Sequence, residues 1–292
     1  MRKVFRLGEW QVEQEASGLR LVVKCSRHPT DTTLCEVISS CFPGTVAIVG
    51  PMGLEHFAGL TLPFGNVGEI MLSRACPTLT ELDGVLGLLT EVLTVCDDAD
   101  VSHCLDIYRT PSEGLEPADW PYTEIGTLVY RAKYQHEASA ARQLAGDMAT
   151  IVARHPALRR VEMVAAVPPS GSGRHFDAPA VWRGVIAGQF GFEEADLWRT
   201  RTVLEQKAVA LREERARNQQ NSMDCSEEVD GRTVLVIDDL YMEGDTIAEA
   251  VRALRQRGAT EIFALCAVKT ARGTQGGMGN LLPSCEEGDD VW

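Results

Sequence analysis

Three short, nearly all-apolar runs constrain the fold of this 292-residue chain most strongly. They are VEMVAAV at 161–167, TVLVI at 233–237 and IFALCAV at 262–268. Runs of this length and composition are typical of strands that are buried on both faces of a parallel sheet. Helix-like segments separate them, so the pattern predicts an α/β fold in which helices flank a central, doubly wound parallel sheet.

A segment rich in proline, glycine and acid, TPSEGLEPADWP at 110–121, predicts a domain boundary. Residues 1–115 are predicted to form a mixed α/β domain with no recognisable chemical motif. Residues 116–272 carry the apolar runs and form the second predicted domain. The remaining residues, 273–292, are glycine-rich and then acidic, which predicts a disordered tail.

Local patterns place further elements within these two domains. In the first, KVFRL, WQVEQEA, LRLVVKC and TVAIV are strand candidates, and 78–95 is predicted to be an amphipathic helix with Thr80 as its cap. In the second, we predict one or two helices over 123–155, a helix ending near 189, a polar helix over 205–220, and a helix from Asp245 to Gln256 that stops at Gly258. His56 and His103 are interpreted as ordinary structural or surface residues.

Composition narrows the classes of function. The formal net charge of -14 repels a nucleic-acid backbone and argues against a nonspecific DNA-binding protein. The sequence contains no uninterrupted run of about 18 apolar residues, so no membrane span is predicted. The N-terminus also lacks the apolar core that is typical of a signal peptide. The nine cysteines contain no CxxC pair, which favours reduced, buried thiols and a cytoplasmic location.

The stretch VLVIDDLYMEGDTI at 234–247 is the strongest functional signal. Asp238 and Asp239 follow an apolar strand, and ligands of open α/β sheets bind at the carboxyl ends of strands. Carboxylates there can accept hydrogen bonds from vicinal sugar hydroxyls or hold a metal through water. A helix begins five residues later, so its free N–H groups, with Gly244 and Thr246, predict an anion site. Ribose with a 5′-phosphate is therefore a coherent ligand.

Three other interpretations of this stretch are available. Asp239 or Asp245 could merely cap the helix, although this leaves the adjacent pair of aspartates unexplained. A receiver domain also opens with apolar residues and two aspartates, but it needs about another hundred residues and too few follow. A Walker B strand requires a GxxxxGK[ST] loop upstream, which the sequence lacks.

These residues resemble the phosphoribosyl-pyrophosphate motif of type I phosphoribosyltransferases. Further segments resemble the ComF family of that superfamily, in the order LVYRAKYQHE at 128–137, VAAVPPSGSGR at 164–174 and LWRTRTVLEQKAVALREERARN at 197–218. The resemblance covers about residues 122–270. It implies a type I phosphoribosyltransferase fold with a hood over a base site, and it leaves residues 1–115 unassigned.

The resemblance also implies roles for individual residues. Asp238 and Asp239 would hold the ribose hydroxyls, and the loop residues would take the 5′-phosphate; these are Met242, Glu243, Gly244, Asp245 and Thr246. Pyrophosphate would lie near Ser170 and Arg174. Magnesium would arrive with phosphoribosyl pyrophosphate, with no direct side-chain ligand expected.

Three further basic residues have no single predicted role in ligand binding. Lys207 and Arg215 lie in a segment that could close over the site, or on a solvated helix face. Lys133 is interpreted as a surface or packing residue.

Two departures from the family pattern leave the function open. Met242 and Glu243 replace two threonines whose hydroxyls normally help to hold the phosphate, and Glu243 adds a repelling charge. The cysteine-rich zinc module found in ComF-like proteins is absent, since Cys25, Cys35 and Cys41 lack finger spacing.

Three hypotheses therefore stand. The protein is a phosphoribosyltransferase, a non-catalytic module that senses a nucleotide or phosphoribosyl pyrophosphate, or an interaction protein in DNA uptake or processing. A protein partner bound through the N-terminal domain or the tail suits all three. A homodimer is expected from type I relatives, and no membrane contact is expected.

Overall fold

The computed structural model describes residues 3–15, 18–25, 31–43, 47–49, 67–73, 78–170, 177–201 and 219–271. The strands are β1 (Lys3–Phe5), β2 (Leu7–Glu15), β3 (Gly18–Cys25), β4 (Ala47–Val49), β5 (Val67–Ser73), β6 (Leu93–Cys96), β7 (Val101–Ile107), β8 (Met163–Ala166), β9 (Glu193–Ala195), β10 (Leu197–Arg199), β11 (Met223–Cys225), β12 (Thr233–Tyr241) and β13 (Glu261–Lys269). The helices are α1 (Asp31–Cys41), α2 (Leu79–Glu91), α3 (Glu124–Tyr134), α4 (Ala138–Arg154), α5 (Ala178–Phe190) and α6 (Asp245–Gln256), with short 3₁₀ turns at Leu158–Arg160 and Glu227–Val229.

Seven strands form the central sheet, in the order β1-β6-β7-β13-β12-β8-β9. The five strands from β7 to β9 in that order pair in parallel, while β6 and β1 complete one edge in antiparallel fashion. The three apolar runs are β8, β12 and β13, which are strands of this sheet as predicted and lie next to one another. The predicted α/β fold, with helices flanking a mostly parallel sheet, is confirmed.

The strand β12 shows why an all-apolar run was required at this position. Leu235 and Ile237 belong to the hydrophobic core on one face of the sheet, which α2, α3, α4 and α5 cover. Val234 and Val236 belong to the core on the other face, with α6. Because successive side chains of a strand point to opposite faces, a sheet covered on both faces needs apolar residues at every position.

Strands from the first 115 residues contribute to two sheets, the central one and a separate one. Strands β2, β3, β5 and β4 form a separate antiparallel sheet in that order. Strands β1, β6 and β7, in contrast, join the central sheet, where β7 pairs directly with β13. The boundary predicted between residues 115 and 116 thus lies within the span of chain that builds this sheet, and the three-part division of the chain stays a prediction.

Helix α2 corrects one prediction in detail. Its cap is Thr78, not Thr80: the Thr78 hydroxyl accepts from the N–H of Glu81, and the Glu81 carboxylate accepts from the N–H of Thr78 at 2.8 Å. This reciprocal capping box satisfies two backbone donors at once. The helix ends at Glu91 rather than 95, because Leu93–Cys96 pairs with β7 as a strand.

Most other predicted elements are found. The segment over 123–155 forms two helices, α3 and α4, and α6 has the predicted bounds. Among the described cysteines, Cys41, Cys104, Cys225 and Cys266 are free and buried. Most of the predicted helix over 205–220 lies outside the described residues. His56 and the predicted tail lie wholly outside them. No helix in the described ranges has the length and apolar character needed to cross a bilayer.

His103 is structural and fully buried, and it pairs with a second buried histidine. Its Nε2 lies 3.1 Å from Nε2 of His155, and its Nδ1 lies 3.2 Å from the hydroxyl of Thr94. The Sγ atom of Cys41 lies 3.5 Å from the same nitrogen of His155, which connects the end of α1 to the end of α4. Burial lowers the pKa of His103 to about 4 and holds the pKa of His155 well below its ordinary value.

Candidate functional site

The two adjacent aspartates lie within β12, near its carboxyl end. Asp238 is in register with Cys266 of β13, and its side chain is only 7% exposed. The backbone N–H of Asp239 donates to Oδ1 of Asp238 at 2.8 Å, which orients the buried carboxyl. Adjacent residues of a strand project to opposite faces, so the carboxyls reach the site from either side of the strand end.

Lys133, at the end of α3, lies against this pair. Its ammonium nitrogen is 2.5 Å from Oδ2 of Asp239, with the two side chains 15% and 14% exposed. Of the two alternatives for Lys133, the surface position is therefore wrong, because the side chain is mostly buried in an ion pair. Lys133 reaches the site because α3 ends at the carboxyl edge of the sheet. There its positive charge compensates Asp239, whose carboxylate would be costly to remove from water without a partner.

The charges of the site divide unequally between the two carboxyls. Burial and the neighbouring charge of Asp239 raise the pKa of Asp238 to about 8, against the opposing influence of Lys133 and Arg199. Burial works to lower the pKa of Lys133, but its contacts with Asp239 outweigh burial and hold the pKa above its ordinary value. The site therefore favours the neutral form of Asp238, beside the ion pair of Lys133 and Asp239.

The predicted phosphate loop leads directly from β12 into α6. Gly244 occupies the position before the helix with φ 81° and ψ 9°, in the left-handed region that favours glycine. No side chain caps the helix there, so the first amides of α6 are not consumed by an internal cap. Such an N-terminus, with its dipole, suits an anion.

The loop side chains take different positions. Met242 and Thr246 line the cavity beside the aspartates, while Glu243 and Asp245 are half-buried. Lys269, at the end of β13, donates from its ammonium to the carbonyl of Met242 at 3.3 Å. This contact brings a positive charge to the loop, which partly offsets the carboxylate introduced by Glu243.

One cavity of about 130 Å³ joins the acidic pair to the loop. Ser170, predicted to lie near pyrophosphate, lines it, as do Pro168 and Pro169 after β8. Asp177, which caps α5, lines the same wall. The remaining residues predicted to bind pyrophosphate or to close over the site lie outside the described residues, and their roles stay predictions. They are Arg174, Lys207 and Arg215.

Arg199 lines the opposite wall, at the end of β10. Its Nη1 donates to Oε1 of Gln219 at 2.6 Å and to the hydroxyl of Ser222 at 3.0 Å. Its Nε is buried and has no hydrogen-bond partner among the described residues. Burial lowers the pKa of Arg199, opposed by the charges of Asp238 and Glu249. An anion in the cavity would give this guanidinium a partner of opposite charge in addition to the neutral Gln219 and Ser222.

A second layer of contacts connects this wall to the phosphate loop. Glu249 of α6 is 4% exposed and accepts from the N–H groups of Ser222 at 2.7 Å and Met223 at 2.9 Å. Arg252 donates to the same carboxylate at 2.8 Å. Strand β11 pairs antiparallel with β10, which carries Arg199, so these contacts fix the strand pair to the helix whose N-terminus forms the loop.

The oxygen atoms around the cavity suit a hard cation that is held mainly by a ligand. Within the described ranges no three His, Cys, Asp or Glu side chains converge on a metal position. Asp238, Asp239 and Ser170 offer oxygen donors at the site. Magnesium commonly keeps several waters and binds through one or two carboxylates and substrate phosphates, so these residues fit it.

Parts of the chain are similar to known proteins. Residues 196–276 match the model of the phosphoribosyl transferase domain. A ribose-phosphate pyrophosphokinase of Methanopyrus kandleri is 49% identical over 39 residues, which are 13% of this chain and 13% of that protein. The match thus spans a small part of that relative's length.

Two solved structures are also similar. The phosphoribosylpyrophosphate synthetase of Mycobacterium smegmatis is 21% identical over 45% of this chain and 33% of its own, with a TM-score of 0.28. A hypoxanthine phosphoribosyltransferase of Staphylococcus aureus is 10% identical over 55% of this chain and 76% of its own, with a TM-score of 0.27. The finer resemblance to the ComF family stays a prediction.

Proposed function

We propose that this cavity binds a ribose 5-phosphate unit, as phosphoribosyl pyrophosphate or a nucleotide, and transfers its phosphoribosyl group to or from a base. One observation carries the proposal: the acidic pair of β12, with Asp238 buried and Asp239 partly buried, leads through Gly244 into a helix with no side-chain cap. Carboxyl groups that can accept hydrogen bonds from sugar hydroxyls are thus followed, within one short segment, by a site for an anion. The phosphoribosyl transferase domain match over the same residues supports this assignment.

The two carboxyls suit different hydrogen bonds to a sugar diol. Asp239, ion-paired with Lys133, accepts from one hydroxyl. Burial raises the pKa of Asp238, which favours its neutral form, and a neutral carboxyl can accept from the second hydroxyl while donating to a neighbouring oxygen. The 5′-phosphate lies at the first turn of α6, where Thr246 adds a hydroxyl donor.

The transfer requires the bond between C1 of the ribose and the leaving oxygen to break. The electron pair leaves on pyrophosphate, a nitrogen of the base bonds to C1, and the proton of that nitrogen is released. Arg199 and Ser170 face the cavity where the leaving group would develop charge, so they would stabilise it electrostatically. Magnesium, when bound with phosphoribosyl pyrophosphate, would neutralise part of the diphosphate charge.

The proposal is tested by calorimetric titration with phosphoribosyl pyrophosphate and magnesium, and with ribose 5-phosphate alone. Micromolar binding of phosphoribosyl pyrophosphate is expected. Asp238→Asn combined with Asp239→Asn should weaken binding by about tenfold or more, since a hydrogen bond to a charged group contributes roughly 1.5–3 kcal/mol. The exposed Asp119→Asn is the matched control. Equal affinity in all three proteins would contradict the assignment.

A non-catalytic sensor is the second candidate, and the loop favours it. Met242 and Glu243 remove two hydroxyl donors and add a half-buried carboxylate beside the phosphate position. Pyrophosphate release from phosphoribosyl pyrophosphate in the presence of a panel of bases distinguishes the two. Binding together with base-dependent release supports the transferase, whereas binding without release for any base supports the sensor.

A further inference from the structure

Four of the five tyrosines of the chain form a row of tilted ring contacts that ends at the cavity. The ring centres of Tyr108 and Tyr122 are 5.0 Å apart, those of Tyr122 and Tyr130 are 5.2 Å apart, and those of Tyr130 and Tyr134 are 5.4 Å apart. These separations are typical of interacting aromatic pairs. The first three rings are partly buried, but Tyr134 is 47% exposed and lines the cavity.

The far end of the row is held firmly in place. The Cζ atom of Arg109 lies 3.9 Å from the ring centre of Tyr122, and its Nη2 donates to the Tyr122 hydroxyl at 2.6 Å. Gly126 of α3 packs against the end of β7 so closely that a Cβ there would lie 2.0 Å from the carbonyl oxygen of Tyr108. The helix that carries Tyr130 and Tyr134 is therefore fixed relative to the sheet.

The exposed ring lies close to the acidic pair. Lys133 connects them: its ammonium is 2.5 Å from Oδ2 of Asp239 and 5.9 Å from the ring centre of Tyr134. The separation between the carboxylate and the ring is thus no greater than the span of one nucleoside. A sugar whose hydroxyls lie on Asp239 would carry its C1 substituent within reach of the Tyr134 ring.

We propose that Tyr134 is a stacking surface for the planar heterocyclic base of the ligand or acceptor. The inference rests on the proposed function, because it takes the ribose position from Asp238 and Asp239. An exposed aromatic ring that three further rings support from behind offers a flat apolar surface at little entropic cost. The net charge of -14 favours a single nucleotide over a nucleic-acid strand as the source of that base.

The experiment compares two ligands that differ only in the base. Calorimetry with ribose 5-phosphate and with adenosine monophosphate is run on the wild type, Tyr134→Leu and Tyr134→Phe. Tyr134→Leu should weaken adenosine monophosphate binding by about tenfold or more, the effect of losing one base–aromatic stack. Ribose 5-phosphate binding should stay within about twofold, and Tyr134→Phe should retain both affinities, because stacking needs the ring and not the hydroxyl.

A matched control is Trp198→Leu. Trp198 is 43% exposed on β10 but does not line the cavity, so its loss should leave both affinities unchanged. Melting temperatures of all variants, compared with the wild type, show whether each remains folded.

The other outcomes separate the two proposals. If the wild type binds ribose 5-phosphate and adenosine monophosphate equally well, the stacking role is overturned while the ribose site stands. Equal weakening of both ligands by Tyr134→Leu would also overturn it, since the ring would then support the ribose site alone. If the wild type binds neither ligand, the proposed function fails first, and the stacking role fails with it.

Discussion

The ammonium nitrogen of Lys133 lies 2.5 Å from Oδ2 of Asp239, which joins the end of α3 to the end of β12. Each charge is largely removed from water, so each depends on the other. Breaking such a pair by removing one partner is far more costly than removing both. The pair therefore acts as a structural connection and as the electrostatic centre of the site.

This dependence is measurable with a double-mutant cycle. Lys133→Met leaves Asp239 buried beside Asp238 without a cation, and we expect a loss of about 3 kcal/mol in the free energy of unfolding. Adding Asp239→Asn should restore part of that loss, which gives a coupling energy of about 1 kcal/mol or more. Urea denaturation of the four proteins at pH 7 provides the energies, and strictly additive losses would contradict the coupling.

Asp238 should make the protein less stable as the pH rises. Its folded pKa of about 8 exceeds the value of roughly 3.9 expected in the unfolded chain. Between these values the folded protein holds a proton that the unfolded chain releases, so stability falls as the pH rises from about 4 to about 8. The slope is at most about 1.4 kcal/mol per pH unit.

The test of this slope is Asp238→Asn, which cannot ionise. Denaturation midpoints at pH 5.5 and pH 8.5 should differ less in the variant than in the wild type. The same difference in both proteins would show that Asp238 ionises normally in the folded state.

The buried histidine pair should act in the opposite direction. Burial holds the pKa of His103 near 4 and that of His155 well below its ordinary value, whereas an unfolded histidine titrates near 6.5. As the pH falls from about 6.5 to about 4, the unfolded chain takes up protons that the folded protein does not, so stability is lost.

Combining His103→Asn with His155→Gln removes both titrating groups. The double variant should be less stable at pH 7, because the hydrogen bonds to Thr94 and Cys41 are disturbed. Its stability should nevertheless decline less between pH 6.5 and pH 4.5 than that of the wild type. The measurement is the urea denaturation midpoint of both proteins across this pH range. An equal fall of the midpoint in the wild type and the double variant would contradict the prediction.

Glu243→Thr should tighten the binding of phosphoribosyl pyrophosphate. The substitution removes a negative charge near the phosphate position and restores a hydroxyl donor, with an expected gain of about tenfold. Glu243→Gln, which removes the charge without adding the hydroxyl, is the control and should produce a smaller gain. Unchanged or weaker binding by calorimetry would mean that Glu243 faces away from the phosphate.

The elements of the fold that could be predicted are those determined by residues close together in the sequence. The apolar runs became β8, β12 and β13, because nearly continuous apolar runs are typical of strands buried on both faces. Helix α6 was bounded correctly, since its start after Gly244 and its stop at Gly258 depend on glycine conformation, and Gly258 has φ 91°.

The parts that were missed depend on contacts between distant residues. Strand β7 contains Ser102 and His103, so it lacks an apolar run, and its hydrogen bonds to β13 cross more than 150 residues of chain. Lys133 was misassigned because its charged side chain is typical of a surface helix. Its pairing with Asp239 follows only from where α3 ends against the sheet.

The place of β7 in the central sheet has a practical consequence for any fragment of this protein. A fragment that began at residue 116 would lack the strand that covers one side of β13, although β13 is buried along most of its length. Its row of unpaired N–H and C=O groups would form a long, flat, apolar edge, and such edges recruit strands from other molecules. The fragment would keep every residue of the acidic pair and its loop, yet it would aggregate rather than bind.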